Sequence, residues 1–168
     1  LFGRLRSLSA AALESYLERA LLFRFPNVVG VPATHGAIYD FVRKLRATPG
    51  ELEVLGDGTQ QKGYLHVDDL VDAMLFIHAR AEERLACYNI AAEDDGVTVR
   101  FIAEQVVEAV APGARIAYGR GNRGWVGDVP RFSYSVARLA QLGWRPKLGS
   151  AQAVCKAVAQ VAAQEATA

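Results

Sequence analysis

Leu52–Ala73, LEVLGDGTQQKGYLHVDDLVDA, carries a strand, a glycine-rich loop, a second extended run and the start of a helix in close succession. Leu52-Glu53-Val54-Leu55 is short and mostly apolar, as a strand requires, and Gly56-Asp57-Gly58-Thr59-Gln60 holds the residues that build turns. Tyr64-Leu65-His66-Val67 resumes an extended run. Asp68 or Asp69 is then expected to cap a helix running to about Glu83, with Leu70, Met74, Leu75 and Ile77 as its apolar positions. Strands that alternate with helices are the signature of an α/β fold.

The alternation continues in both directions. Upstream, Ser9 can cap a helix to Ala20 with Leu13, Tyr16, Leu17 and Ala20 on one stripe, and Leu21–Phe25 suits a buried strand that Pro26 ends. Ile38, Phe41, Val42 and Leu45 have the spacing of an amphipathic helix, broken by Thr48-Pro49-Gly50. Downstream, Cys87–Ile90 reads as a strand, and Thr98 caps a helix bearing Phe101, Ile102, Val106 and Val110. Arg115–Tyr118 reads as a further strand. Two helices close the chain, one around Val136–Leu142 and one from Ser150 towards Gln164. There is no internal repeat and no linker, so 1–168 is expected to form a single α/β unit.

Composition narrows the function classes. A hydrophobic share of 51% against 22% charged residues is that of a chain with a packed core, not a disordered one. The net charge is +1 with the basic residues scattered, which leaves no dense cationic stripe for a nucleic-acid backbone. Cys87 and Cys155 form no CxxC pair, and His35, His66 and His78 do not fall at metal-ligand spacing, so no metal site is expected. No apolar run approaches the ~20 residues of a membrane span, and a reducing cytoplasm fits best.

Four segments concentrate chemistry. Asn27 follows directly on a buried strand, where ligands of open α/β sheets gather, although an Asn there also serves a turn. Lys62 and Tyr64, on a loop and extended run rich in glycine, can grip a phosphate and a sugar face, or belong to a solvated hairpin. Arg120–Pro130, RGNRGWVGDVP, suits a diphosphate beside a stacking surface, or is an exposed loop. Thr34–Phe41, THGAIYDF, offers backbone amides at a helix start.

Taken in order, RFPNVVG, THGAIYDF, LEVLGDGTQQKGYLHVDDLVDA, YNIA, GWVGDVPR and LGWRPK resemble the NAD-dependent epimerase/dehydratase family. These are the extended short-chain dehydrogenases of nucleotide sugars, and the nearest activity is UDP-glucose 4-epimerase-like. The resemblance runs from about Leu21 to Val158 and covers the second half of a typical member. It implies the end of a Rossmann-like sheet plus the smaller mixed α/β substrate-binding domain: 1–30 as the remnant of the dinucleotide-binding sheet and helix, and 31–168 as mainly the nucleotide-sugar-binding portion. It implies NAD as cofactor and a nucleotide sugar as substrate, with transient oxidation of a sugar carbon. Phe25 and Pro26 would lie near the nicotinamide, and Asn27 on the substrate diphosphate. Glu53 and Leu55 would face the base, and Lys62 would hold the diphosphate with Tyr64 beside it. Arg123 and Asp128 would close over phosphates and ribose. A homodimer through the Ser9–Ala20 helix is also implied.

The sequence departs from the family pattern in four places, the first being Trp125, which stands three before Asp128 where many members carry Arg, so that Arg123 is a looser match. Lys62 stands where the family usually carries Arg and so gives up bidentate geometry. No GxxGxxG fingerprint follows a strand. The expected Tyr-x-x-x-Lys corresponds to Phe2-Gly3-Arg4-Leu5-Arg6, in which Phe has no hydroxyl and Arg does not deprotonate, so no catalytic residue is assigned. This polypeptide alone is therefore expected to be inactive, and whether it is itself an enzyme stays open. The alternative is a degenerate, non-catalytic nucleotide-sugar-binding or assembly module.

Overall fold

A computed structural model of the chain describes residues 17–121 and 134–167. Its elements run β1 (Ala20–Arg24), β2 (Asn27–Val29), α1 (Ala37–Ala47), β3 (Glu51–Val54), β4 (Gln61–Lys62), β5 (Tyr64–His66) and α2 (Val67–Arg80). They continue with β6 (Leu85–Asn89), β7 (Val97–Thr98), α3 (Val99–Val110), β8 (Arg115–Tyr118), α4 (Ala137–Leu142) and α5 (Ser150–Ala166). The fold is a mixed α/β arrangement in which paired strands alternate with helices. Among the described residues, β1 pairs with β6, β2 with β5 and β3 with β8, all parallel, while the short β4 pairs with β7 antiparallel.

Two hydrophobic clusters form, and β5 stands between them. The first gathers α1, α3 and α5 over β3, with Phe41, Leu45, Leu52, Ile102, Val154 and Val158 in contact. The second gathers α2 and α4 against β5 and β6 through Leu65, Ile77, Tyr88, Ile90, Leu139 and Trp144. Successive side chains on a strand point to opposite faces, so Tyr64 joins the first cluster and Leu65 the second. Where polar atoms enter the second cluster they are partnered. Trp144 Nε1 donates to Asp72 Oδ2 at 2.9 Å, and the Arg138 guanidinium lies 4.6 Å from the Tyr88 ring centre while bonding Glu83.

The start of α2 differs from the expected arrangement. Neither Asp68 nor Asp69 is the cap: the preceding His66 is, and its Nδ1 accepts the Asp68 N–H at 3.2 Å. Its Nε2 faces Gln160 Oε1 on α5 at 3.0 Å. Asp69 is buried and instead accepts the Leu148 N–H, and Asp68 reaches across to Lys156 at 2.7 Å. The helix stops at Arg80, not Glu83, and Leu75 is 66% exposed, so the apolar stripe is narrower than the sequence suggested.

The expected helix from Ser9 to Ala20 also needs correction at its end. Residues 9–16 lie outside the described residues, but Leu17–Arg19 is not helical and Ala20 opens β1. Arg19 donates to the carbonyls of His78 and Ala81, which ties this entry segment to the end of α2. Beside it, Arg19, Leu21, Phe23, Met74, Leu75 and His78 line an open, mostly apolar recess. Among the described residues, no helix is long and apolar enough to cross a membrane.

Candidate functional site

The carboxyl end of β1 is where the sequence-predicted residues meet. β1 stops at Arg24, whose carbonyl accepts the Ile90 N–H at 2.8 Å, and β2 begins at Asn27, leaving Phe25-Pro26 as the link. Asn27 lies opposite Tyr64 in the parallel β2–β5 register. Pro26 packs beside Gly63, where a Cβ would stand only 3.6 Å from the proline Cβ. Lys62 is next in line. Phe25, Pro26 and Asn27 are thus brought against Lys62-Gly63-Tyr64, with Phe25 and Asn27 exposed, Lys62 half-buried and Pro26 buried. Tyr64 is 7% exposed and packs in the first hydrophobic cluster, so its ring serves the core while its backbone carries the strand pairing.

Glu53 and Leu55 lie elsewhere, at the outward face and end of β3, both exposed. The loop from Leu55 to Gln60 joins them to the Lys62 strand. Within it the Asp57 carboxylate accepts from both the Thr59 amide, at 2.9 Å, and the Thr59 hydroxyl, at 2.6 Å. The hydroxyl bond above all, then the amide bond, holds this carboxyl below the usual aspartate range. Gly58 has φ +78°, and an added Cβ would strike the Tyr118 ring at 2.7 Å. Arg100 stacks over that ring at 4.2 Å and donates to the Asp57 carbonyl. Burial pushes the Tyr118 phenol up, and its hydroxyl, like both side-chain polar atoms of the buried Gln60, has no hydrogen-bond partner among the described residues.

Arg123 and Asp128 fall outside the described residues, but the residues that flank 122–133 are located. On one side the Gly121 carbonyl accepts the Asp57 N–H at 2.7 Å. On the other the Tyr134 hydroxyl donates to the Phe25 carbonyl at 3.1 Å, and Asn89 Nδ2 donates to the Ser135 carbonyl at 2.8 Å. One flank is therefore tied to the Gly56–Gln60 loop and the other to the carboxyl ends of β1 and β6. Sequence reasoning missed Tyr134, Arg100 and Gln60. Tyr134 and Arg100 act through partners distant in the chain, and the burial of Gln60 depends on what packs over it, so nothing local marks any of them.

A dinucleotide needs amides exposed at a glycine-lined helix start. The described strand-to-helix junctions do not supply that: His66 closes α2, and Thr98 closes α3 by accepting the Phe101 N–H at 3.1 Å. Gly36, which opens α1, follows a loop and has only open space beside it. The described residues therefore do not fit a dinucleotide pyrophosphate.

The NAD dependent epimerase/dehydratase family model matches residues 6–91. The chain belongs to that family. Its fold overlays a UDP-galactose 4-epimerase crystal structure with a TM-score of 0.78 and 38% identity, covering 94% of this chain and 50% of that one. A UDP-glucose 4-epimerase from Thermus thermophilus in complex with NAD shares the fold at TM-score 0.71 and 23% identity, over 93% of this chain and 50% of that one. GDP-L-fucose synthase 1 of Arabidopsis thaliana is 36% identical over 102 residues, which is 58% of this chain and 29% of that protein. This member of the epimerase/dehydratase family thus spans about half the length of the solved structures it matches, and its aligned part under a third of that curated relative.

Proposed function

We propose that this chain is the substrate-holding portion of a nucleotide-sugar epimerase or dehydratase, UDP-glucose 4-epimerase-like and NAD-using as an intact enzyme. One observation carries the reading: just past the end of β1, Pro26 packs beside Gly63 and Asn27 pairs opposite Tyr64, which sets Asn27 close to the backbone that follows Lys62. Ligands of parallel sheets lie beyond such ends. In this reading the Lys62 ammonium neutralises the diphosphate and Asn27 donates an amide hydrogen bond to it. Glu53 and Leu55 line the base end, Phe25 and Pro26 wall the nicotinamide side, and the loop bearing Arg123 and Asp128 covers the phosphates. The anchoring of that loop at Asp57 and at Phe25 supports the last assignment.

These residues bind and orient. No proton or hydride transfer is assigned to them, because the described residues do not cradle the cofactor. Calorimetry with UDP-glucose tests the reading. Lys62→Ala should weaken binding by about 1.5–3 kcal/mol, the usual worth of a charge-assisted hydrogen bond. Equal heats from parent and variant would remove Lys62 from the site.

A further inference from the structure

We propose that Ser150 and Asp94 are positioning residues for Lys62: together they clasp the strand that carries it and set where its ammonium meets the phosphates. This rests on the diphosphate reading above. Ser150 opens α5, is 1% exposed, and reaches the backbone of β5, where the Tyr64 N–H donates to its Oγ at 3.1 Å. A hydroxyl has a single proton to give. Asp94 Oδ1 lies at 2.6 Å and the Tyr64 carbonyl at 3.2 Å, so the proton goes mainly to the carboxylate, where the bond is charge-assisted. The chain Tyr64 N–H to Ser150 Oγ–H to Asp94 is therefore directional.

Asp94 does more than accept that proton. Its Oδ2 takes the Ser150 N–H at 2.7 Å, and its Oδ1 also takes the Gly96 N–H at 2.9 Å. The latter bond folds residues 94–96 back onto Lys62. There Gly96, at φ +79°, approaches so closely that a Cβ would stand 2.0 Å from the Lys62 carbonyl oxygen. Val97 then pairs with Lys62 in the β4–β7 ladder, and Gln61 Nε2 donates to the Asp95 carbonyl at 3.1 Å. Lys62 is gripped on its carbonyl side by Gly96 and two residues on by Ser150, and Asp94 holds both. A flexible four-carbon side chain is best aimed when its own backbone cannot move.

Two measurements on Ser150→Ala and Asp94→Asn test this. The first is amide hydrogen exchange over residues 61–64, which should quicken roughly tenfold, as losing one hydrogen bond implies. The second is UDP-glucose affinity, which should fall about three- to tenfold in either variant yet by less than about twofold when Lys62 is already alanine. That loss of effect separates aiming from general loosening, which would persist without Lys62. Exchange and affinity at parental values, or a full affinity loss in the Lys62→Ala background, would overturn the clasp. If Lys62→Ala itself binds like the parent, the diphosphate reading fails and takes the aiming role with it, while exchange still reports whether the clasp exists. Asp94→Asn alters an exposed residue and carries the test if Ser150→Ala does not fold.

Discussion

The two hydrophobic clusters are built from the same residue types but are closed to different degrees. The first is covered by three helices over β3, and Val42, Leu45, Leu52, Ile102 and Val154 show no exposure at all. The second is sealed on the side of β5, α4 and Trp144 and, among the described residues, open along β1 and the outer face of α2, where Val71 is 49% and Leu75 66% exposed. The proposed diphosphate grip hangs on β5, the wall they share. What this teaches is that the first cluster is covered by its own helices, whereas the second presents, among the described residues, apolar surface of the kind that marks interaction or association.

Breaking the closed side should cost most. Leu45→Ala removes a side chain with no exposure and should lower stability by about 2–5 kcal/mol in urea unfolding; a loss under 1 kcal/mol would mean the cluster is looser than its burial implies. Next comes the seam. Gly96→Ala should cost at least about 1–2 kcal/mol for the left-handed backbone, with a further loss because its Cβ would displace Lys62; UDP-glucose affinity measured alongside urea unfolding would register both.

A smaller, pH-dependent effect concerns the ion pair joining the two sides. The hydrogen bond from Lys156 on α5 is the main cause holding the Asp68 carboxyl on α2 below its usual 3.8. A depressed folded-state value means that the contribution is present above the usual value and is lost as pH falls through the lowered one. Urea midpoints taken from about pH 6 down to about pH 3 should therefore fall less steeply in Lys156→Met than in the parent. Parallel curves would show that the pair contributes nothing.

The least effect on stability is expected on the open side. Leu75→Asp should shift the unfolding free energy read in urea by no more than about 0.5 kcal/mol. A large destabilisation there would show that this face is packed after all, and the contrast between the clusters would vanish.

Much of this was legible in the chain itself. The alternation of elements, the core positions Ile38, Phe41, Val42 and Leu45, and the Thr98 cap follow from periodicity and cap chemistry, which are local. The family followed from motifs kept in order. The α2 cap was misplaced because Ser, Thr, Asp and Asn are the usual caps, whereas here His66 caps while its Nε2 meets Gln160, which is distant in sequence. Lys62 and Tyr64 could be picked out as a pair but not sorted. Whether a strand residue is buried depends on what packs over it, and here Tyr64 packs into the first cluster.

By itself, then, the sequence determined the α/β class and the family, because each is written in short-range pattern. Tertiary structure alone decided that Asn27 stands across from Tyr64, that Gly96 and Ser150 hold the Lys62 strand, and that one cluster is left open. Those are pairings between residues far apart in the chain, and only the packed backbone sets their register.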